Sequence, residues 1–181
     1  MDKTYVILLR AIGPVTHKLM GMADWRDAAE RAGFSQPVTV LNTGNMIAGF
    51  NGGAARATME MRAVLASFGL GDNVVPILRT PLLLRRLTKS NPISEAAADR
   101  PSQTGVYFFG KPSPDFSWLQ DYEGPEAVHV VAKHLIVDFT RDVAQSGKLI
   151  RLIDKNCGIN TARSWSSLMK IGAALEKVVD G

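Results

Sequence analysis

Two stretches of the sequence carry donors suited to an anion. Arg10 follows the apolar run Tyr5-Val6-Ile7-Leu8-Leu9. That run reads as a buried central strand, so the backbone at Arg10 is held rigidly while the side chain can emerge. A guanidinium fixed in this way grips a carboxylate or phosphate through two parallel N–H bonds. Arg79 stands similarly, just past a second strand-like run, and His17 and Lys18 lie in the loop after Arg10. The other stretch is Asn42-Thr43-Gly44-Asn45, a row of amide and hydroxyl groups at a strand end. Each has a structural reading beside the functional one. Arg10 can serve as an internal clamp on an acid or a carbonyl, and the Asn42–Asn45 turn can be plain hairpin chemistry.

Other groups offer further chemistry. Arg85, Arg86 and Lys89 make a helical segment basic, with Arg85 and Lys89 on one face. It lacks the stacking aromatics of a single-strand nucleic-acid binder, so a solvated face is the competing reading. Lys148, Arg151 and Lys155 recur at helical spacing and fit an ordinary amphipathic surface helix. Gly147-Lys148 is not a phosphate loop, because Asp142 stands where the first glycine belongs and Leu149 follows the lysine. If Ala132-Lys133 is a two-residue turn, His129 faces Ile136 across a hairpin, with His134 and Asp138 as its diagonal neighbours. Two imidazoles and a carboxylate suit a divalent metal. The alternative is a polar strand face opposite inward Val128, Val130, Leu135, Val137 and Phe139. Cys157 has no identifiable base beside it, so an inert thiol is the simpler expectation. The sequence singles out no catalytic residue, and no motif calls for a metal or cofactor.

The elements that position these groups follow from periodicity and turn chemistry. The polar stretch from Arg10 to Gly21 reads as a loop. A helix is expected over Ala23–Ala32 with Gly33 as its left-handed cap, and a strand over Val38–Leu41. Past the turn come a strand at Met46–Phe50, a helix at Ala54–Phe68 and a strand at Val74–Leu78. The order β-α-β-β-α-β is the split βαβ, or ferredoxin-like, pattern. Thr80-Pro81 opens a helix through Lys89, with Thr as cap and Pro as first residue. A polar connector, Ser94–Gln103, leads to a second round of the same order: a strand at Thr104–Phe109, a short helix within Pro112–Tyr122, a hairpin of Glu126–Val131 and His134–Phe139, a helix at Gln145–Lys155 and a strand at Ile159–Thr161. A last helix spans Trp165–Val178 with Ser164 as cap. The expectation is an α+β protein of two consecutive ferredoxin-like halves with antiparallel sheets, residues 1–80 and 104–181, joined by a helix and connector over 81–103.

Composition agrees with a globular protein. The 181 residues are 46% hydrophobic and 21% charged, which allows a core. No apolar run nears the roughly 20 residues of a membrane span, and the start lacks a signal peptide's apolar region. Cys157 is the only cysteine, so no internal disulfide is available and a cytoplasmic setting is expected. Residues 1–90 hold 11 Lys/Arg against 6 Asp/Glu, whereas residues 91–181 hold 10 against 11. The first half therefore carries the positive field, which favours anionic partners, or serves solubility alone.

Several motifs, in order, resemble bacterial domain-of-unknown-function family 1697. They are Leu8-Leu9-Arg10-Ala11-Ile12, Met22-Ala23-Asp24-Trp25-Arg26, Gly33-Phe34, Leu41-Asn42-Thr43-Gly44-Asn45 and Asn91-Pro92, then Ser146-Gly147-Lys148-Leu149 and Arg163-Ser164-Trp165. The resemblance spans essentially the whole chain and implies the two-half fold, with Lys148, Arg163 and Trp165 added to the candidate ligand-binding residues Arg10, Asn42, Thr43 and Asn45. It implies no activity. The chain departs from the family pattern at Ala11, where glycine is usual, at Gly13-Pro14-Val15-Thr16, which replaces Asn-Val-Gly-Gly, at Thr43 for Ser, and at Ser164 and Ser166 for Asn.

Three functional readings follow. The leading one is a module that binds a small anion at Arg10 and the Asn42–Asn45 turn. The second is an enzyme for a phosphorylated or carboxylated metabolite using His17 or Cys157. The third is a nucleic-acid or protein scaffold, an analogy from fold alone. No membrane partner is expected, and the sequence does not specify an oligomeric state.

Overall fold

The computed structural model describes residues 1–179 as two compact units, Met1–Leu84 together with the chain from Lys170 onward, and Arg85–Met169. In the first unit the elements are β1 (Lys3–Leu9), α1 (Pro14–Leu19), α2 (Met22–Arg31), β2 (Phe34–Thr39), β3 (Asn45–Phe50), α3 (Ala54–Ser67) and β4 (Pro76–Arg79). Its sheet is antiparallel throughout, in the order β2-β3-β1-β4. Tyr5, Ile7, Leu9, Met46, Ala48 and Phe50 face Trp25 and Ala29 of α2 and Met61 and Leu65 of α3 in one core. The Trp25 indole N–H, which needs a partner when buried, donates to Met61 Sδ at 3.2 Å. Val6, Leu8 and Ile47 on the opposite side of the pleat are fully buried as well. Burial on both faces is why β1 reads as an unbroken apolar run rather than an alternating one.

The chain continues through α4 (Pro81–Ser90) and α5 (Ser94–Asp99). The second unit then builds β5 (Thr104–Phe109), β6 (Ala127–Val131), β7 (His134–Asp138), α6 (Gly147–Cys157) and β8 (Asn160–Arg163), and α7 (Trp165–Val179) follows. Its antiparallel sheet has the equivalent order, β6-β7-β5-β8. Its core joins Tyr107, Phe109, Leu135, Val137 and Phe139 to Leu149, Ile153 and Cys157 of α6. The two units match in detail. Val6 pairs with Arg79 in one and Val106 with Arg163 in the other. Each arginine donates from Nη1 to the carbonyl of the residue before it, at 2.8 Å to Leu78 and 2.9 Å to Ala162. Each is followed by a helix capped by a hydroxyl, Thr80 Oγ1 accepting from Leu83 N–H and Ser164 Oγ from Ser167 N–H. Among the described residues no helix is long and apolar enough to cross a membrane.

The structure corrects several local expectations. The Arg10–Gly21 stretch is not all loop. Gly13 and Thr16 bond reciprocally at 2.8 Å and Pro14 takes the first helical position, which starts α1. Strand β2 begins four residues early, directly after Gly33, and is broken by a register shift between Ser35 and Val38 where Gln36 has φ +48°. The connector holds α5 and a 3₁₀ turn at Pro101–Gln103. Pro112–Tyr122 forms one 3₁₀ turn, Ser117–Asp121, because its prolines cannot feed a helical hydrogen-bond ladder.

Candidate functional site

The strongest candidate lies where three chain segments meet at one end of the first sheet. Arg10 leaves β1 with its backbone N–H donated to Val75 O at 2.9 Å, and the preceding Leu9 N–H is donated to Gly44 O at 2.8 Å. The loop after β1, the β2–β3 loop and the approach to β4 are thereby fastened to one another. The β2–β3 loop is closed by Val40 N–H on Asn45 O, with Leu41 at φ +61° and Gly44 at φ +81°. A Cβ on Gly44 would lie 2.7 Å from Ile12 Cγ1 and 2.8 Å from Leu9 Cβ. The glycine is therefore required twice, for its left-handed backbone and for its close approach to β1.

Within this rim the predicted donors divide. Asn45 is fully buried, and its amide nitrogen donates to Val40 O and to Thr43 Oγ1, each at 2.9 Å. Both amide hydrogens are thus taken by the loop itself, and Asn45 holds the turn instead of facing a guest. Asn42 and Thr43 lie exposed on that loop. The Arg10 side chain is half-buried and has no hydrogen bond or ion pair among the described residues. From Ala11 onward the loop and helix α1 border a cavity of about 320 Å³, lined by Ala11, Gly13, Thr16, Leu19, Leu70 and Asn73 among others. Thr16 and Asn73 are its polar side chains, and no motif or spacing groups them. Neither Arg10 nor Asn45 lines it.

The remaining candidates occupy other surroundings. Lys148 is exposed at the start of α6, its ammonium donating to Glu123 O at 3.2 Å and standing 5.8 Å from the Tyr122 ring centre. Trp165 is a buried core residue whose backbone N–H donates to Thr104 Oγ1 at 3.0 Å. Arg163 is buried, with Nη1 donating to Thr161 Oγ1 at 2.6 Å, and burial pulls its pKa down to about 10. Burial lowers the pKa of Arg79 as well. These are strand-end clamps whose protonated forms are costly to desolvate. Arg86 and Lys89 point out along α4.

The hairpin of β6 and β7 forms in the expected register, with His129 opposite Ile136 and Val131 opposite His134. Ala132 and Lys133 both have positive φ, as a two-residue turn of this kind demands. Its faces differ from the expected pattern. His134 and Ile136 are buried, His134 packing edge-on against Phe108 at 5.3 Å, while Val130 at the hairpin tip is 51% exposed. Asp138 is gripped by both guanidinium nitrogens of Arg100, a partner that nothing in the connector sequence marked, and this holds its carboxyl below the usual range. His129, Asp138 and Glu95 line a groove of about 340 Å³. Among the described residues no cluster of histidine, cysteine and acidic side chains could hold a metal ion. Cys157 is buried, its thiol donates to Asp115 O at 3.4 Å, and desolvation raises its pKa, the opposite of what activates a nucleophile.

Comparison with known proteins agrees with this architecture. A family model described as a protein of unknown function, DUF1697, matches residues 2–135. The structure of the conserved bacterial protein SP0830 from Streptococcus pneumoniae is similar, with a TM-score of 0.76 at 15% identity over 97% of this chain and 99% of that one. At that identity the likeness speaks for the fold alone. No curated protein matches.

Proposed function

We propose, from the premise that the chain belongs to the DUF1697 family of unknown function, that it binds a small anionic metabolite, a carboxylate or phosphate ester, through Arg10 at the rim of its first sheet. One observation carries this reading: the Arg10 guanidinium has no partner among the described residues, yet its backbone is pinned to Val75 and its neighbour Leu9 to Gly44. The pinned backbone fixes where the guanidinium can reach, and the planar fork itself needs no rearrangement to meet a carboxylate or phosphate. The exposed amide of Asn42 on the adjacent loop adds a donor. The cavity that begins at the next residue, Ala11, with Leu19 and Leu70 beside Thr16 and Asn73, suits the small organic body of such a ligand. The excess of basic residues in the first half adds long-range attraction.

Calorimetric titration with inorganic phosphate, sugar phosphates and nucleoside monophosphates tests the reading. Arg10→Ala is expected to weaken binding about tenfold or more, the loss of a charge-assisted hydrogen bond worth ~1.5–3 kcal/mol. Arg10→Lys should fall between, since an ammonium keeps the charge without the two-pronged geometry. Absence of binding at ligand concentrations of about 10 mM, or binding untouched by Arg10→Ala, counts against it.

A further inference from the structure

We infer that β6 is a self-association edge, on which a second copy of this chain adds its own β6 in antiparallel fashion across a two-fold axis at His129. Each sheet has two edge strands, β2 and β4 in one and β6 and β8 in the other. An open edge offers unpaired N–H and C=O groups, and monomeric proteins usually guard it with proline, charge, a bulge or brevity. Three of the four are guarded here. β2 carries Pro37 and a register shift. β4 has four residues and opens with Pro76, and β8 has only four residues. β6 has none of these devices: Ala127-Val128-His129-Val130-Val131 contains no proline and no Lys, Arg, Asp or Glu, and pairs with β7 without a shift.

The geometry selects the occupant. In a two-residue hairpin the closing pair, Val131 with His134, is hydrogen-bonded, so His129 and Ala127 also spend their backbone groups on β7. Val128 and Val130 then direct theirs to the open side. A two-fold axis at His129 places Val128 opposite Val130 of the partner subunit and Val130 opposite Val128 of the partner subunit. Both outward residues on each chain are thereby satisfied at once. The five residues pair along their whole length, because Val-His-Val reads the same in both directions. Side chains opposite each other are then apolar except at the axis, and no like-signed acid or lysine pair is brought together. A second copy therefore fits this edge without the side-chain clashes that reject wrong partners. One strand edge buries less than the roughly 1,200 Å² typical of a stable complex, so the association is weak and reversible.

The test is sedimentation of the full chain over a concentration series, with cysteine cross-linking as a register probe. The wild type should shift from monomer towards dimer between ~10 μM and ~1 mM, the range expected for a small interface. Val130→Lys, at a position 51% exposed, should keep the wild-type circular dichroism and melting profile while losing the dimer. On the two-fold axis the facing residues form a non-hydrogen-bonded pair with Cα atoms about 4.5 Å apart, within disulfide reach. His129→Cys should therefore give a disulfide-linked dimer on mild oxidation, whereas Val130→Cys, which faces Val128 of the partner subunit, should not. Cys157 is buried in both variants and does not compete. A wild type that stays monomeric at ~1 mM, a dimer that survives Val130→Lys, or cross-linking by Val130→Cys in preference to His129→Cys overturns the inference.

Discussion

The side chains at the rim of the first sheet show how similar residue types come to different ends. Arg10, Arg79 and Arg163 all stand at strand ends, yet Arg163 is buried, the half-buried Arg79 donates to Leu78 O, and the equally half-buried Arg10 has no side-chain hydrogen bond among the described residues. Asn42 and Asn45 sit three apart in one loop, and only Asn45 turns inward to tie it together. Sequence gives the type of a polar group but not where its hydrogens are used, so Arg10 was legible as a candidate while the internal duty of Asn45 was not. Gly44 was legible as a turn residue, and its contact with Leu9 and Ile12 emerges only from the folded chain. Gly44→Ala should lower stability by about 2–4 kcal/mol, since strain at positive φ and overpacking act together. Urea denaturation measures this, and a loss under about 0.5 kcal/mol contradicts the assignment. Ala11 sits at φ +65° where the family pattern has glycine. Ala11→Gly should be neutral to stabilising by up to about 1 kcal/mol, because relief of left-handed strain offsets the added freedom of the unfolded chain. A clear destabilisation in the same assay shows the strain account of this loop to be wrong.

At the scale of elements, what could be read was whatever had a long apolar period. Helices α2, α3, α6 and α7 carry an inward stripe, and β1, β3, β5 and β7 carry apolar runs that stand out because both faces are buried. Helix α1 leaves no period to see, because its six residues include no buried side chain. The shift in β2 is not legible, because the irregularity at Gln36 spans two residues that composition does not mark. The Arg100–Asp138 pair fastens the residue after α5 to the end of β7. Arg100 holds the folded-state pKa of Asp138 below its ordinary value, so the unfolded chain takes up that proton first. The pair's contribution is therefore complete above the unfolded carboxylate value of about 3.9 and is lost as pH falls through the lower folded value. Melting temperatures at neutral and acid pH should show this decline. Arg100→Ala should lower the neutral-pH value and flatten the acid slope, and an unchanged slope denies the pair its role. At the other extreme, burial pushes the Tyr107 hydroxyl up to about 12. The unfolded phenol ionises near its ordinary pKa of about 10, so stability present below that pH should drain away as pH rises towards 12. Absorbance at phenolate wavelengths should show Tyr107 ionising only with the alkaline unfolding transition. A phenol that titrates at its ordinary value in folded protein contradicts the burial argument.

Across the molecule, one architecture is used twice. Both units have the same strand order, the same register of the terminal arginine, and a hydroxyl-capped helix after the fourth strand. That order was readable because each strand announces itself by composition and each turn by glycine, proline or asparagine. No side-chain likeness between the units was needed to see it. Only the first unit combines a rigid strand end with a guanidinium past it, since Gly110 follows β5 where Arg10 follows β1. The repeated scaffold thus carries the proposed site in one copy alone, and the positive field of the first half accords with that proposal. The most direct measurement is backbone amide chemical-shift mapping of the labelled protein during titration with inorganic phosphate. Shifts should concentrate at residues 10–16 and 41–44 and be absent in Arg10→Ala. No shift at phosphate concentrations of about 10 mM, or shifts centred on Arg86, Lys89 or Lys148, contradicts it.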